Sequence, residues 1–186
     1  MTSFTPSTAL PLITVANTKK FDRDHALFEE GNLKSTITVD RYKINRKPFS
    51  LTFDAVLDCD RILVNQFDGK TSFSLYVIPE SEEDCEAFEN FNSVLEKSFK
   101  LEDKEWQPTS SWRDDRLHLK IKYTPGTLQS FVSTDISLNL KKPHEFKIAH
   151  GQKVRVTGSL SYYYNFDNSM FGTTFNPSNL QFTFEE

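Results

Sequence analysis

The sequence predicts an all-β domain with one inserted α-helix. Apolar and polar residues alternate with the two-residue period of a half-buried strand in the segments 49–57, 71–78, 117–123 and 153–164. An Asp-Gly pair at 68–69 separates two apolar runs, which is typical of a β-hairpin. Apolar residues recur at helical spacing in only one segment, near 81–99. One helix among about seven short strands is typical of a small barrel or sandwich.

The remaining elements are predicted from turn formers and residue type. Residues 1–30 have turn formers and little periodicity, so we expect an extended N-terminal arm before a domain that covers 31–186. Residues 101–117 are expected to form a polar connector. Gly158 lies inside a strand segment and predicts a bulge or sharp bend there. β-branched and aromatic residues predict further strands at 33–44, 61–65, 130–140 and 179–184.

The predicted helix has a clear start and an apolar face. Ser81 is a suitable N-cap, and acidic residues follow it, where the helix dipole favours negative charge. Four apolar residues fall at helical spacing and are expected to be buried against the sheet: Cys85, Phe88, Leu95 and Phe99.

The composition indicates a soluble intracellular protein. No window approaches the roughly 18 apolar residues of a membrane span, so we expect no membrane partner. Pro11 interrupts the apolar patch at 9–16, and no basic region precedes it, so we expect no signal peptide. Cys59 and Cys85 are too few for a disulfide framework, which favours a reducing compartment.

Charge is distributed unevenly along the chain, although the net charge is only −4. Residues 51–103 carry 13 Asp/Glu and 4 Lys/Arg, whereas residues 104–165 carry 10 Lys/Arg and 5 Asp/Glu. Such a separation predicts a basic face that a polyanion can bind even when the whole protein is acidic. An ordinary mixed surface is the alternative.

The sequence lacks the patterns of common enzyme and metal sites. The histidines have no ligand-like spacing to one another or to the cysteines, and none of the six glycines belongs to a phosphate-binding loop or a nucleophile elbow. We therefore expect a binding protein without catalysis, cofactor or metal. A degenerate metal-dependent nuclease remains an alternative, with acidic residues Asp58, Asp60, Asp114 and Asp115 as its candidate ligands.

Basic and aromatic residues are interleaved in segment 104–165. In a strand at 117–123, Lys120 and Lys122 point away from the apolar face, and the same parity applies to Lys153, Arg155 and Tyr163 in 153–164. Binding of a single strand of any sequence needs cations that contact the phosphates and aromatic rings on which the bases stack. The expected phosphate contacts are Lys120, Lys122, Lys153 and Arg155, assisted by Arg113 and Arg116, and the expected stacking residues are Trp106, Trp112 and Tyr163. Solvated lysines and aromatic residues that pack on the core are the alternative.

The order of elements resembles that of the single-stranded DNA-binding proteins of podophages and large DNA viruses. The features that match are the helix at 82–99, a connector with Trp and Pro, the strand LKIK at 119–122, and the late segment 151–184 with its Gly-x-Lys-Val start and aromatic end. The resemblance implies an oligonucleotide/oligosaccharide-binding (OB) barrel of five strands, with extra strands and one inserted helix.

The resemblance also implies a role in DNA replication or recombination, in the cytoplasm or nucleus of a host cell. The expected partners are single-stranded DNA and replication proteins such as a polymerase or helicase, and the formation of a homo-oligomer stays open. Members of the family often end in a long acidic tail, whereas this chain stops at Phe184-Glu185-Glu186. Either such a tail has been trimmed, or the acidic segment 51–103 recruits partners in its place. The main rival is a β-sandwich that serves as a structural or protein-interaction module, such as a virion accessory protein.

Overall fold

The computed structural model describes residues 1–15, 37–99, 107–122, 148–165 and 170–182, and most of its elements are strands. The all-β class is therefore confirmed. The predicted strand at 130–140 and Trp106 lie outside the described residues. In chain order the elements are β1 (Thr2–Phe4), α1 (Pro6–Ala9), β2 (Ile37–Arg41), β3 (Phe49–Leu57), β4 (Leu63–Phe67), β5 (Lys70–Pro79), α2 (Glu82–Phe99), β6 (Gln107–Ser110), β7 (Trp112–Arg113), β8 (Arg116–Lys122), β9 (Lys153–Asn165) and β10 (Met170–Phe182).

The described strands belong to one mixed sheet. Its main path runs β6-β10-β9-β3-β5-β8-β7, while β1 pairs with β3, β2 with β9, and β4 with β5. The pairs β1–β3 and β6–β10 are parallel, and the other pairs are antiparallel. The longest ladder joins β9 to β10, from Val154 opposite Phe182 to Asn165 opposite Met170.

The strand ladders do not close into a barrel, so the five-stranded barrel implied by the resemblance is not shown. The path has two ends, β6 and β7, and Ser111 lies between them. Its N–H donates to the Thr173 carbonyl oxygen in β10 at 3.2 Å, and its own carbonyl oxygen accepts from the His118 N–H in β8 at 2.9 Å. Its hydroxyl oxygen also accepts from the Phe175 N–H at 3.1 Å. A single residue thus bridges β10 and β8.

The alternation of the strands determines which side chains form the core. In β3, every second residue is buried, from Phe49 to Leu57, as the two-residue period predicts. β8 follows the same rule, and Ile121 and Leu119 face Phe73 and Leu75 of β5, where Ser74 is buried as well. The hairpin predicted at 68–69 is confirmed, since Asp68 and Gly69 both have positive φ, as a type I′ turn requires.

The helix predicted near 81–99 is confirmed as α2. Phe88 and Leu95 are buried as expected, and Phe91, which the prediction left out, is buried with them. The expectation for Cys85 is wrong in degree, because its side chain is only half-buried. The side chain of Phe99 lies outside the described atoms.

The polar connector and the last strand differ from the prediction. Residues 107–110 and 112–113 of the predicted connector form β6 and β7, and β10 begins at Met170 rather than near 179. The polar segments of β6 and the start of β10 become strands because β10 and β9, respectively, provide rows of backbone partners for them.

The predicted bulge at Gly158 lies instead on the partner strand, where the register shifts between Pro177 and Asn179. Gly158 pairs with Pro177, and a Cβ on it would meet the Asn176 carbonyl oxygen and lie 2.6 Å from Phe175 Cζ. Glycine is therefore required here by the close approach of β10.

The described part of the predicted N-terminal arm packs on the domain. β1 pairs with the start of β3, and Ala9 in α1 is completely buried. The Ser7 N–H donates to Asp84 Oδ1 of α2 at 3.0 Å, so a carboxylate satisfies a backbone donor in the first turn of α1.

Candidate nucleic-acid interface

A basic groove lies between the outward faces of β8 and β10. Its volume is about 320 Å³, and Arg113, His118, Lys120 and Tyr163 contribute its charged and aromatic groups. Hydroxyl and amide side chains form most of the remaining lining: Thr109, Ser110, Ser111, Thr173, Thr174 and Asn176. Within the described chain, no Asp or Glu lines this groove.

Strand alternation places the basic residues of β8 in the groove. Leu117, Leu119 and Ile121 are buried in the core, so Lys120 and His118 face outward. The tight turn at Asp114 and Asp115, both with positive φ, folds β7 back along β8. This turn brings Arg113 to the same groove, where its Nε donates to the Ser110 carbonyl oxygen at 2.9 Å.

His118 lies in the groove with its imidazole held in place. Its Nε2 forms a 2.9 Å hydrogen bond with Ser74 Oγ, which also accepts from Asn65 Nδ2 at 2.8 Å. The Ser74 proton is then available for Nε2, which suits a neutral ring. The ring also stacks on Tyr76, with centroids 5.0 Å apart.

The pKa of His118 reports the charge of its surroundings. Burial lowers this pKa below its usual value, and the positive charges of Arg113, Lys120 and Arg116 lower it further. Cations from two neighbouring strands therefore converge on the imidazole. A site with this positive potential attracts anions.

Tyr163 forms part of the groove wall and is fixed by Thr109. The Thr109 hydroxyl donates to the Phe171 carbonyl oxygen and accepts from the Tyr163 hydroxyl. The Thr109 carbonyl oxygen in turn accepts from Asn92 Nδ2 at 2.8 Å. This chain of hydrogen bonds connects the tyrosine of β9 to helix α2 through β6, so the ring is held before any ligand binds.

Lys153 and Arg155 lie on a separate surface. Their outward positions on β9 agree with the predicted parity, but they line a different cavity of about 330 Å³ together with Asp54 and Glu80. Arg155 Nε donates to Asp54 Oδ1 at 2.9 Å, and the hydrogen bond and charge of Asp54 raise the pKa of Arg155. Lys153 Nζ lies 4.0 Å from Glu80 Oε1. The two cations are therefore partly neutralised by acids on β3 and after β5.

Arg116 is also engaged in the described structure. Its guanidinium lies 3.8 Å from the centre of the Tyr76 ring, and its Nη1 lies 3.4 Å from Asp58 Oδ2. Asp58 Oδ1 accepts a second contact from His150 Nε2 at 3.0 Å. Arg116 therefore contributes positive charge to the neighbourhood of His118 while making its direct contacts elsewhere.

The structure brings together only part of the predicted site. Arg113, Lys120 and Tyr163 line one groove. Trp112 lines an adjoining cavity and stacks on Phe88, with centroids 5.9 Å apart and planes 8° apart. The side chain of Lys122 and all of Trp106 lie outside the described atoms. His118 was missed, although its parity with Lys120 on 117–123 is the signal that could have identified it.

The acidic residues of the nuclease alternative do not gather into one site. Asp58 is paired with Arg116 and His150, whereas Asp114 and Asp115 form the β7–β8 turn. Within the described ranges, no group of three or more His, Cys, Asp or Glu side chains is arranged to hold a metal ion.

Searches with the sequence identify no family for the chain. No protein-family model matches it, and no curated protein matches it significantly. Neither helix in the described part of the chain has the length and apolar character needed to cross a membrane.

Proposed function

We propose that this chain binds single-stranded DNA without turnover, through the groove between β8 and β10. The observation that carries the proposal is the convergence of Arg113 and Lys120 on a groove whose described lining contains no acid. Phosphodiesters are the anions that such a groove fits, because each phosphate accepts charge-assisted hydrogen bonds from Arg and Lys.

A single strand fits this site better than a duplex. The groove is concave and lies against aromatic side chains, so it can hold one backbone while the bases stay accessible to Tyr163 and Trp112. Base stacking on such rings contributes about 1–3 kcal/mol per base and tolerates any sequence. We propose an OB-type arrangement for this sheet, which is supported by the helix inserted between β5 and β6 and by Ser111, which bridges β10 and β8.

The predicted phosphate contacts differ in how freely their side chains can bind a phosphate. Lys120 is exposed in the groove, whereas Lys153 and Arg155 must leave Glu80 and Asp54 before they can bind a phosphate. We therefore propose that Arg113 and Lys120 neutralise phosphates first. Lys153 and Arg155 would extend the path of the strand only after exchanging their carboxylate partners.

The test is a titration of fluorescein-labelled oligo(dT) by fluorescence anisotropy at several salt concentrations. Affinity should fall with salt, with a log–log slope of about −0.7 for each phosphate neutralised on a single strand. The double variant Arg113→Ala/Lys120→Ala should weaken binding and flatten this slope by about 1.4. Lys97→Ala is the matched control, because Lys97 is an exposed lysine on α2 that does not line the groove, and it should bind as the unaltered chain does.

The same titration separates the rivals. If the chain does not bind oligo(dT) even at low salt, the proposal is wrong and the protein-interaction alternative gains support. If the double variant keeps both affinity and slope, binding occurs at another surface. Cleavage of the oligonucleotide in the presence of Mg²⁺ or Mn²⁺, lost when Asp58 is replaced, would instead support the nuclease alternative.

A further inference from the structure

A second cavity adjoins the basic groove. Its volume is about 560 Å³, and it shares Thr109, Ser110 and Arg113 with the groove. The rest of its lining comes largely from helix α2 and from Trp112 of β7. A chain whose phosphates lie in the groove can therefore place a neighbouring base in this cavity without leaving the shared wall.

The cavity contains a preorganised aromatic platform. Trp112 is half-buried and stacks in parallel on Phe88. Phe88 is itself buried and packs edge-on against Phe53, Phe91 and Phe175 at centroid distances of 5.3 to 5.9 Å. Because these neighbours already hold the indole in place, stacking a base on it costs little side-chain entropy.

Glu89 is the carboxylate of this cavity. Asn92, the other polar residue that α2 contributes, already donates to Thr109 and accepts from the Thr173 hydroxyl. Glu89 is exposed, and in the described part of the chain its carboxylate has no hydrogen bond or ion pair. It is therefore available to accept hydrogen bonds from a ligand.

A carboxylate discriminates among the bases by the hydrogen-bond donors that each base presents. An ionised carboxylate only accepts, and its two oxygens can take two parallel hydrogen bonds. Guanine presents two adjacent donors on its Watson–Crick edge, the N1–H and the N2 amino group. Adenine and cytosine present one amino group beside an acceptor, and thymine presents one N–H between two carbonyl oxygens. An unpaired acceptor facing a carboxylate is unfavourable, so guanine is the best match.

We propose that the cavity between α2 and β7 is a base subsite that prefers guanine, with Trp112 as the stacking platform and Glu89 as the hydrogen-bond acceptor. This inference rests on the proposed binding of single-stranded DNA. It adds a specificity-determining residue to a surface whose phosphate contacts are otherwise independent of sequence.

The test compares short thymidine oligonucleotides in which one central position is T, A, G or inosine. A single guanine avoids quadruplex formation, and inosine keeps the N1–H but lacks the N2 amino group. We expect the guanine oligonucleotide to bind about fivefold or more tightly than the all-T one, as a bidentate base contact provides. Inosine should fall between them.

Variants identify the group responsible for the preference. Glu89→Gln should remove the preference for guanine and strengthen all-T binding, because a negative charge near the phosphates is lost. Glu86→Gln is the matched control, since Glu86 is an exposed glutamate on the same helix that does not line the cavity, and it should keep the preference. Trp112→Leu should weaken all four oligonucleotides.

The outcomes are distinguishable from failure of the proposed function. Equal binding of all four oligonucleotides, still dependent on salt and on Lys120, would overturn the guanine subsite and leave single-strand binding intact. A preference that persists in Glu89→Gln would overturn the role of Glu89. If no oligonucleotide binds the unaltered chain, the proposed function and the subsite both fail.

Discussion

Removing the Phe88 ring should destabilise the fold strongly, because this side chain connects α2 to the sheet. It is 5% exposed and contacts the rings of Phe53, Phe91, Phe175 and Trp112. Transfer of the ring out of the core costs about 2–3 kcal/mol. A cavity of about 100 Å³ that fails to collapse adds about 2 kcal/mol. Phe88→Ala should therefore lower the free energy of unfolding by roughly 3–5 kcal/mol.

Urea denaturation followed by circular dichroism and tryptophan fluorescence measures this change. The midpoint should fall with little change in the denaturant slope. Leu12→Ala, at a leucine that is 46% exposed, is the matched control and should stay within about 0.5 kcal/mol. A loss below about 1 kcal/mol for Phe88→Ala would show that α2 does not pack on the sheet as described, and would refute the reasoning.

Two further predictions concern the close contact at Gly158 and the imidazole in the groove. Gly158→Ala should lower the free energy of unfolding by about 1–3 kcal/mol, because the added Cβ meets the backbone of β10. Ser159→Ala, on the outward face, should lower it less. Equal melting temperatures for the two variants would contradict the packing. The folded-state pKa of His118 lies below its unfolded value. The contribution of this imidazole to the stability of the fold is therefore fully present above about pH 6.5 and is lost as the pH falls toward the folded-state pKa. A bound polyanion offsets the surrounding cations and raises this pKa, so oligo(dT) affinity should rise from pH 7 to pH 5.5. His118→Gln should flatten that pH dependence, whereas His150→Gln should keep it.

The sequence predicts an element well where the buried side chains of that element recur at the period of a strand or a helix. β3 and α2 have the expected positions because their buried residues recur at the periods of a strand and a helix. β6 and the first half of β10 were missed, since residues such as Pro108, Gly172 and Asn176 have low strand propensity. β6 is a strand because β10, which is distant in sequence, pairs with it, and the first half of β10 is a strand because the preceding strand β9 pairs with it.

The sequence predicts which side chains of the candidate site face outward, but not which partners these side chains contact. Parity correctly placed Lys120 and Arg155 on outward faces. It could not show that Arg155 pairs with Asp54, because this contact depends on the register between β3 and β9, which are about a hundred residues apart. Arg113 reached the groove through a turn of two aspartates, a conformation that Asp tolerates but does not require.

The bridge at Ser111 has a consequence for the motions of the sheet. Elsewhere β8 and β10 are held by ladders of many residues, whereas in the described part of the chain Ser111 connects the two strands through hydrogen bonds of its backbone and hydroxyl. Regions held by few hydrogen bonds open locally at a small fraction of the global unfolding free energy. The amide of His118, which donates to Ser111, should therefore exchange with solvent faster than the amides inside the β5–β8 ladder. The basic groove lies along this seam, so its width can adjust without disturbing the core beneath it.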